Sequence, residues 1–128
     1  MKIKNEQIIN FANMRTKGRR FPVRLFYALS MNANALAPAI KAYTDSREEL
    51  IKKHSKKDEN GAPVVNEQGN YEFEDIAAWN KEIKELLDAD SEVPVTTIPM
   101  SVIEKCEDSA FDDLSFEDID AIKFMIEE

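Results

Sequence analysis

A chain of 128 residues, 43% hydrophobic and 33% charged, suits one domain around one core and excludes wholesale disorder. No apolar run approaches the roughly 20 residues that span a bilayer. The start Met1-Lys2-Ile3-Lys4-Asn5-Glu6 has no apolar block behind it, and one cysteine, Cys106, excludes an internal disulfide, so a soluble protein of a reducing, cytoplasmic compartment is expected.

Net charge is −8, but residues 1–57 carry 13 Lys/Arg against 4 Asp/Glu, whereas residues 58–128 carry 4 Lys/Arg against 21 Asp/Glu. Either the halves neutralise each other, or one charged face meets a partner of opposite sign.

In chain order, Asn5 to about Arg15 places Ile8, Ile9 and Ala12 on one helical face, with Asn5 as N-cap. Gly18 and Pro22 break this helix. A longer helix is expected from Pro22, with Leu25, Phe26, Leu29, Leu36, Ile40, Tyr43 and Leu50 as its apolar positions. Pro38 must kink it or open a second helix. Lys52, Lys53, Lys56 and Lys57 complement the dipole at its end, and Asn60-Gly61 stops it.

Ala62–Val65 and Asn70–Phe73 flank a Gly-containing turn at Asn66–Gly69, which predicts a β-hairpin over about 62–73. Ile76, Trp79, Ile83, Leu86 and Leu87 form the stripe of a helix from Asp75 to about Leu87. Residues 93–98 are β-prone, but Pro94 and Pro99 restrict them to one short edge strand. Ser101 is expected to cap a short turn through Glu104. Ser115 with Asp118 forms a capping box opening a last helix, whose Phe116, Ile119, Ile122, Met125 and Ile126 share a face. The fold class is therefore α+β, a mostly helical single domain over 1–128. Its core is expected to include Leu25, Leu29, Trp79, Ile83, Ile119 and Ile122.

The inventory of chemistry argues against catalysis. One histidine and one cysteine cannot make a zinc site. His54 is expected on an exposed lysine-rich helix end, and Cys106 in an acidic loop that raises its thiol pKa, which disfavours a nucleophilic pair. Gly18, Gly61 and Gly69 all read as stops or turns, so no phosphate-binding loop is present. Asp112-Asp113 and Glu117-Asp118 with Asp120 lack the spacing of a calcium loop. No catalytic residue, cofactor or metal ligand is assigned.

Two candidate partner surfaces remain. Arg15, Lys17, Arg19, Arg20 and Arg24, interleaved with Phe21 and Phe26, carry chemistry suited to phosphates, although overall negative charge disfavours direct nucleic-acid binding. Glu104, Glu107, Asp108, Asp112, Asp113, Glu117, Asp118 and Asp120 could imitate a phosphate backbone and occupy a basic groove. Self-association through oppositely charged halves is the third option.

The run Arg47-Glu48-Glu49-Leu50-Ile51-Lys52-Lys53-His54, then Lys57-Asp58-Glu59-Asn60-Gly61-Ala62-Pro63-Val64-Val65-Asn66-Glu67-Gln68-Gly69-Asn70-Tyr71, then Trp79-Asn80-Lys81-Glu82-Ile83-Lys84-Glu85-Leu86-Leu87 resembles a family of small proteins of unknown function encoded by bacteriophages and prophages of Gram-positive bacteria. The order of features matches over residues 1–128, most strongly over about 45–100, to a final short helix ending Met125-Ile126-Glu127-Glu128. Trp79 stands where that family is expected to carry Phe. The resemblance supplies no catalytic residues. It implies a phage accessory protein made in the bacterial cytoplasm. Such a protein would bind a protein partner, either a phage structural protein in virion or tail assembly or a host factor such as a defence nuclease.

Overall fold

The computed structural model describes residues 1–127; Glu128, the last residue of the expected C-terminal helix, lies outside them. The chain is mostly helical α+β. Its contacts gather into two compact units, one formed by Met1–Ile40 and the chain from Asp90 on, the other by Lys41–Ala89. Among the described residues, every fully buried apolar side chain except Ile51 belongs to the first unit.

In the first unit, β1 (Lys2–Lys4) pairs antiparallel with β2 (Asp90–Glu92). The register sets Lys2 opposite Glu92 and Lys4 opposite Asp90, while Ile3 turns inward between them. Opposite charges on one face and a single apolar residue on the other fix this pairing against slippage. The expected strand over 93–98 is thus displaced to 90–92. Beyond β2, Val93 N–H reaches the Met1 carbonyl at 3.0 Å, and Pro94, lacking an N–H, cannot extend the ladder. Ile98 instead makes one parallel bridge with Ile126.

Helix α1 (Asn5–Ala12) begins at its expected cap, one position early: Lys4 is the N-cap, and Asn5 is the first helical residue. Buried Asn5 accepts a hydrogen bond from the Ser91 hydroxyl of β2 at 3.2 Å. Ile8 and Phe11 face inward, and the Phe11 ring meets Phe124 edge-on at 5.4 Å.

Helix α2 (Val23–His54) runs unbroken through Pro38. Proline denies its N–H to the Asn34 carbonyl, but both residues are exposed, where water can take its place. In the first unit α2 buries Leu25, Ala28, Leu29, Asn32 and Leu36, one stripe at helical spacing. Asn32 is a polar residue in this stripe. Its amide donates to the Thr96 carbonyl at 2.9 Å and accepts from Thr96 N–H at 2.7 Å, pinning the segment after β2 to the helix.

Pro99, not Ser101, caps the short α4 (Met100–Glu104), which passes into a 3-10 turn at Lys105–Glu107. Helix α5 (Phe116–Ile122) opens on the expected capping box: Asp118 N–H donates to the Ser115 hydroxyl, and Ser115 N–H to the Asp118 carboxylate. A 3-10 turn at Lys123–Met125 ends it and buries Met125 beside Ile122. Phe116, expected on the inner face, points away from it.

In the second unit, α2 ends at His54 and Lys57 closes it. The Lys57 ammonium donates to the Lys52 carbonyl, and to the Ser55 carbonyl and hydroxyl at 3.0 and 2.7 Å. These are carbonyls a helix end leaves without partners. The expected hairpin forms through the Val65–Tyr71 bridge, and bridges from Lys57 to Pro63 and from Ser55 to Phe73 add a third extended segment. Two similar turns make this possible. Asp58 accepts from the N–H groups of Asn60 and Ala62, and Asn66 from those of Gln68 and Asn70. Gly61 and Gly69 close the turns at φ of 80° and 81°, a region open to glycine.

Helix α3 (Ile76–Asp88) is capped by Asp75, which accepts from Ala78 N–H. No residue of α3 is fully buried. Trp79 and Ile83 are half-buried and lie outside the core expected for them. The Trp79 ring stacks on Phe73 at 4.4 Å.

Candidate functional site

The centres of the two charged clusters are joined to each other within the first unit. The turn at Gly18 (φ 77°) leads Arg19 to Asp118. Its two guanidinium nitrogens donate to the two carboxylate oxygens at 3.0 and 2.6 Å, and also to the carbonyls of Arg15 and Asp113. The Arg19 guanidinium also lies 4.9 Å over the Phe21 ring. Hydrogen bonding from Arg19 holds the Asp118 carboxyl down to about 2, with burial opposing and Ser115 assisting. The same pairing raises the Arg19 pKa.

The next residue repeats the arrangement. Arg20 N–H and guanidinium both donate to Asp112, and the Arg20 carbonyl accepts from Asp112 N–H. These bonds, led by the Arg20 N–H, lower the Asp112 pKa. Asp120 is held by Lys123 and Asn10, and its pKa is lowered, chiefly by Lys123.

Of the expected surface residues, Arg19, Arg20, Asp112, Asp118 and Asp120 are therefore engaged within the chain. Arg15, Lys17 and Arg24 are exposed with no ion pair among the described residues, as are Glu104, Glu107, Asp108, Asp113 and Glu117.

The clearest surface feature is apolar, and the sequence reading did not find it. Val23, Phe26, Tyr27 and Met31 are 81%, 58%, 62% and 41% exposed, and their spacing puts them on one side of α2. Phe26 is one of the apolar positions expected of this helix and one of the aromatics expected among the basic cluster. This stretch of α2 is apolar on two faces, and periodicity alone does not say which one packs inward.

Two grooves flank Phe26. One, of about 310 Å³, is lined by Phe11, Met14, Leu29, Ala33 and Ile40. The other, of about 570 Å³, is lined by Val23, Tyr27, Ala28, Thr96 and Ile98, with Arg24 its one charged residue. A further groove of about 290 Å³, between Pro22, Val102 and Phe111, adds Lys105 to Arg24. Among the described residues no carboxylate lines any of the three.

On the acidic segment Phe116 is 95% exposed. The capping box and the Arg19 pair lock the turn that carries it, between the unpaired carboxylates of Asp113 and Glu117.

His54, expected to be exposed, is 10% exposed at its side chain, with its ring edge toward Trp79 and Nε2 3.2 Å from Glu82 without hydrogen-bond alignment. Glu82 also accepts from Lys53 at 2.8 Å, and its pKa is lowered first by Lys53 and then by His54. Cys106 is buried, and burial pushes its thiol pKa up, with Arg19 opposing and Asp113 assisting. It lies in the first unit and His54 in the second.

Among the described residues no helix is long and apolar enough to cross a membrane, and no group of three or more His, Cys, Asp or Glu side chains could hold a metal ion. No family model matches the chain, and neither a curated protein nor a solved structure matches it.

Proposed function

We propose that this chain is a non-enzymatic phage or prophage accessory protein, made in the bacterial cytoplasm, that acts by binding another protein through the exposed apolar surface of its first unit. The observation that carries the reading is the stripe Val23, Phe26, Tyr27 and Met31. With aromatic side chains contributing roughly 150–250 Å² each when covered, the exposed part of the stripe is on the order of 400 Å². That is the size of the largest apolar patch on a typical monomer, a patch that is often functional. The phage origin rests on the resemblance over residues 45–100, and the role is in virion or tail assembly or on a host factor.

The test is affinity capture from bacterial lysates, with and without phage infection, using the native chain and a Val23→Ser, Phe26→Ser, Tyr27→Ser, Met31→Ser variant. Specific capture by the native chain, lost in the variant while its thermal unfolding is unchanged, is expected. Identical capture by both would refute the role of the stripe.

A second reading, inhibition of a defence nuclease by acidic mimicry, is favoured by the unpaired carboxylates of Glu104, Glu107, Asp108, Asp113 and Glu117. It requires binding to a basic protein that weakens steeply with salt. Direct nucleic-acid binding is weakened as a reading because Arg19 and Arg20 are already paired.

A further inference from the structure

We propose that the apolar surface of the first unit is covered by a second copy of this chain, each copy's Phe116 turn seated in the other's groove beside Phe26 and Arg24. This rests on the reading that the stripe is a protein-binding surface, and names its occupant.

The groove specifies what fits it. Among the described residues it is lined by Phe26, Tyr27, Ala28 and Ile98, with Arg24 the one charged residue. A complementary ligand is an apolar side chain flanked by carboxylates. The chain displays that group itself: Phe116 stands almost wholly in solvent, with Asp113 and Glu117 beside it in sequence and, among the described residues, no cation paired to either. A volume of about 570 Å³ accommodates a phenylalanine side chain with room for its neighbours.

The turn is also ordered before binding. Ser115 and Asp118 cap each other and Arg19 grips Asp118 with both guanidinium nitrogens, so little backbone freedom is lost when Phe116 docks. An aromatic side chain seated in a partner's pocket is the kind of anchor that carries binding energy at an interface.

Area decides how the copies pair. One Phe116 in one groove covers about 200 Å² of apolar surface, far below the roughly 1,000 Å² a specific interface needs. A two-fold pair makes the contact twice and brings both stripes in, giving on the order of 1,200 Å². Repulsion between two copies of net charge −8 acts against pairing, but it is screened beyond about 8 Å at physiological salt, leaving the local Arg24–carboxylate attraction.

The test is sedimentation equilibrium of the purified full chain from micromolar to millimolar concentration, for the native protein, Phe116→Ala and Arg24→Glu. Both sites are exposed, so the variants should fold, and circular dichroism melts verify that they do. The expected result is a monomer–dimer equilibrium whose dissociation constant rises at least about tenfold in each variant. A chain monomeric throughout overturns the pairing, as does a dimer indifferent to both substitutions. So does a monomer that binds a fluorescent single-stranded oligonucleotide and loses it in Arg24→Glu. The lysate capture above remains decisive for the broader reading, because a monomer whose stripe variant loses a captured protein keeps that reading and removes only the second copy.

Discussion

Replacing Asp118 by Asn removes the charge at the junction of the two clusters while keeping the side chain's size. Asp118 is 13% exposed at its side chain and accepts from both Arg19 guanidinium nitrogens and from Ser115 N–H. Its carboxyl titrates near 3.8 when unperturbed and is held down to about 2 in the fold. At about 1.4 kcal/mol per pH unit, that separation stabilises the fold by about 2 kcal/mol. Because the folded value is the lower one, the contribution is complete above about pH 5. It is lost as pH falls through the unfolded and then the folded value, and is absent only below about pH 1.

Urea unfolding of native and Asp118→Asn protein, at neutral pH and in steps toward pH 2.5, reads this directly. The expected difference is about 2 kcal/mol at pH 7, shrinking to under about 1 kcal/mol at the acid end. A difference that stays constant across this range would refute the reasoning, as would one below about 0.5 kcal/mol at neutral pH.

Asn32→Ala should cost about 2–4 kcal/mol, since it leaves the Thr96 N–H and carbonyl without their partner in a part-buried site; a loss below about 1 kcal/mol in the same urea assay would contradict that. By contrast, Phe116→Ala should change stability by no more than about 0.5 kcal/mol, because its ring packs against nothing inside the fold. Gly69→Ala should lower stability by about 1 kcal/mol through backbone strain alone, since open space surrounds the added carbon; the melting temperature reports it, and an unchanged value would argue against the positive φ.

The sequence exposed those parts of the fold that local chemistry determines. Ser115 with Asp118 reads as a helix start because the reciprocal bonds need only those spacings, and Asn66–Gly69 reads as a turn because glycine supplies the positive φ. Burial was harder. Phe26 and Phe116 each sit at a spacing compatible with the inner face, yet both face solvent, and Trp79 and Ile83 follow a strongly periodic helix that buries none of its residues fully. Periodicity finds a stripe without saying whether the fold or a partner covers it. β1 was missed because Lys2–Lys4 has a single apolar residue and pairs with a segment distant in sequence.

The charged clusters show the same limit. Charge counts by half revealed that opposite signs were available, and the fold uses part of them internally, through Arg19–Asp118 and Arg20–Asp112. Which cations and carboxylates stayed unpaired depended on contacts between residues far apart in the chain, and no local pattern reported it.

The measurement that most directly tests whether the first unit's apolar surface is where this chain meets other proteins is photo-crosslinking in bacterial cells, with and without phage infection. A photoreactive phenylalanine analogue would replace Phe26, Phe116 or, as a control in the second unit, exposed Ile76. Discrete protein adducts are expected from positions 26 and 116 and none from position 76, with their masses identifying the bound chain. Adducts from position 76 alone would contradict that role of the surface.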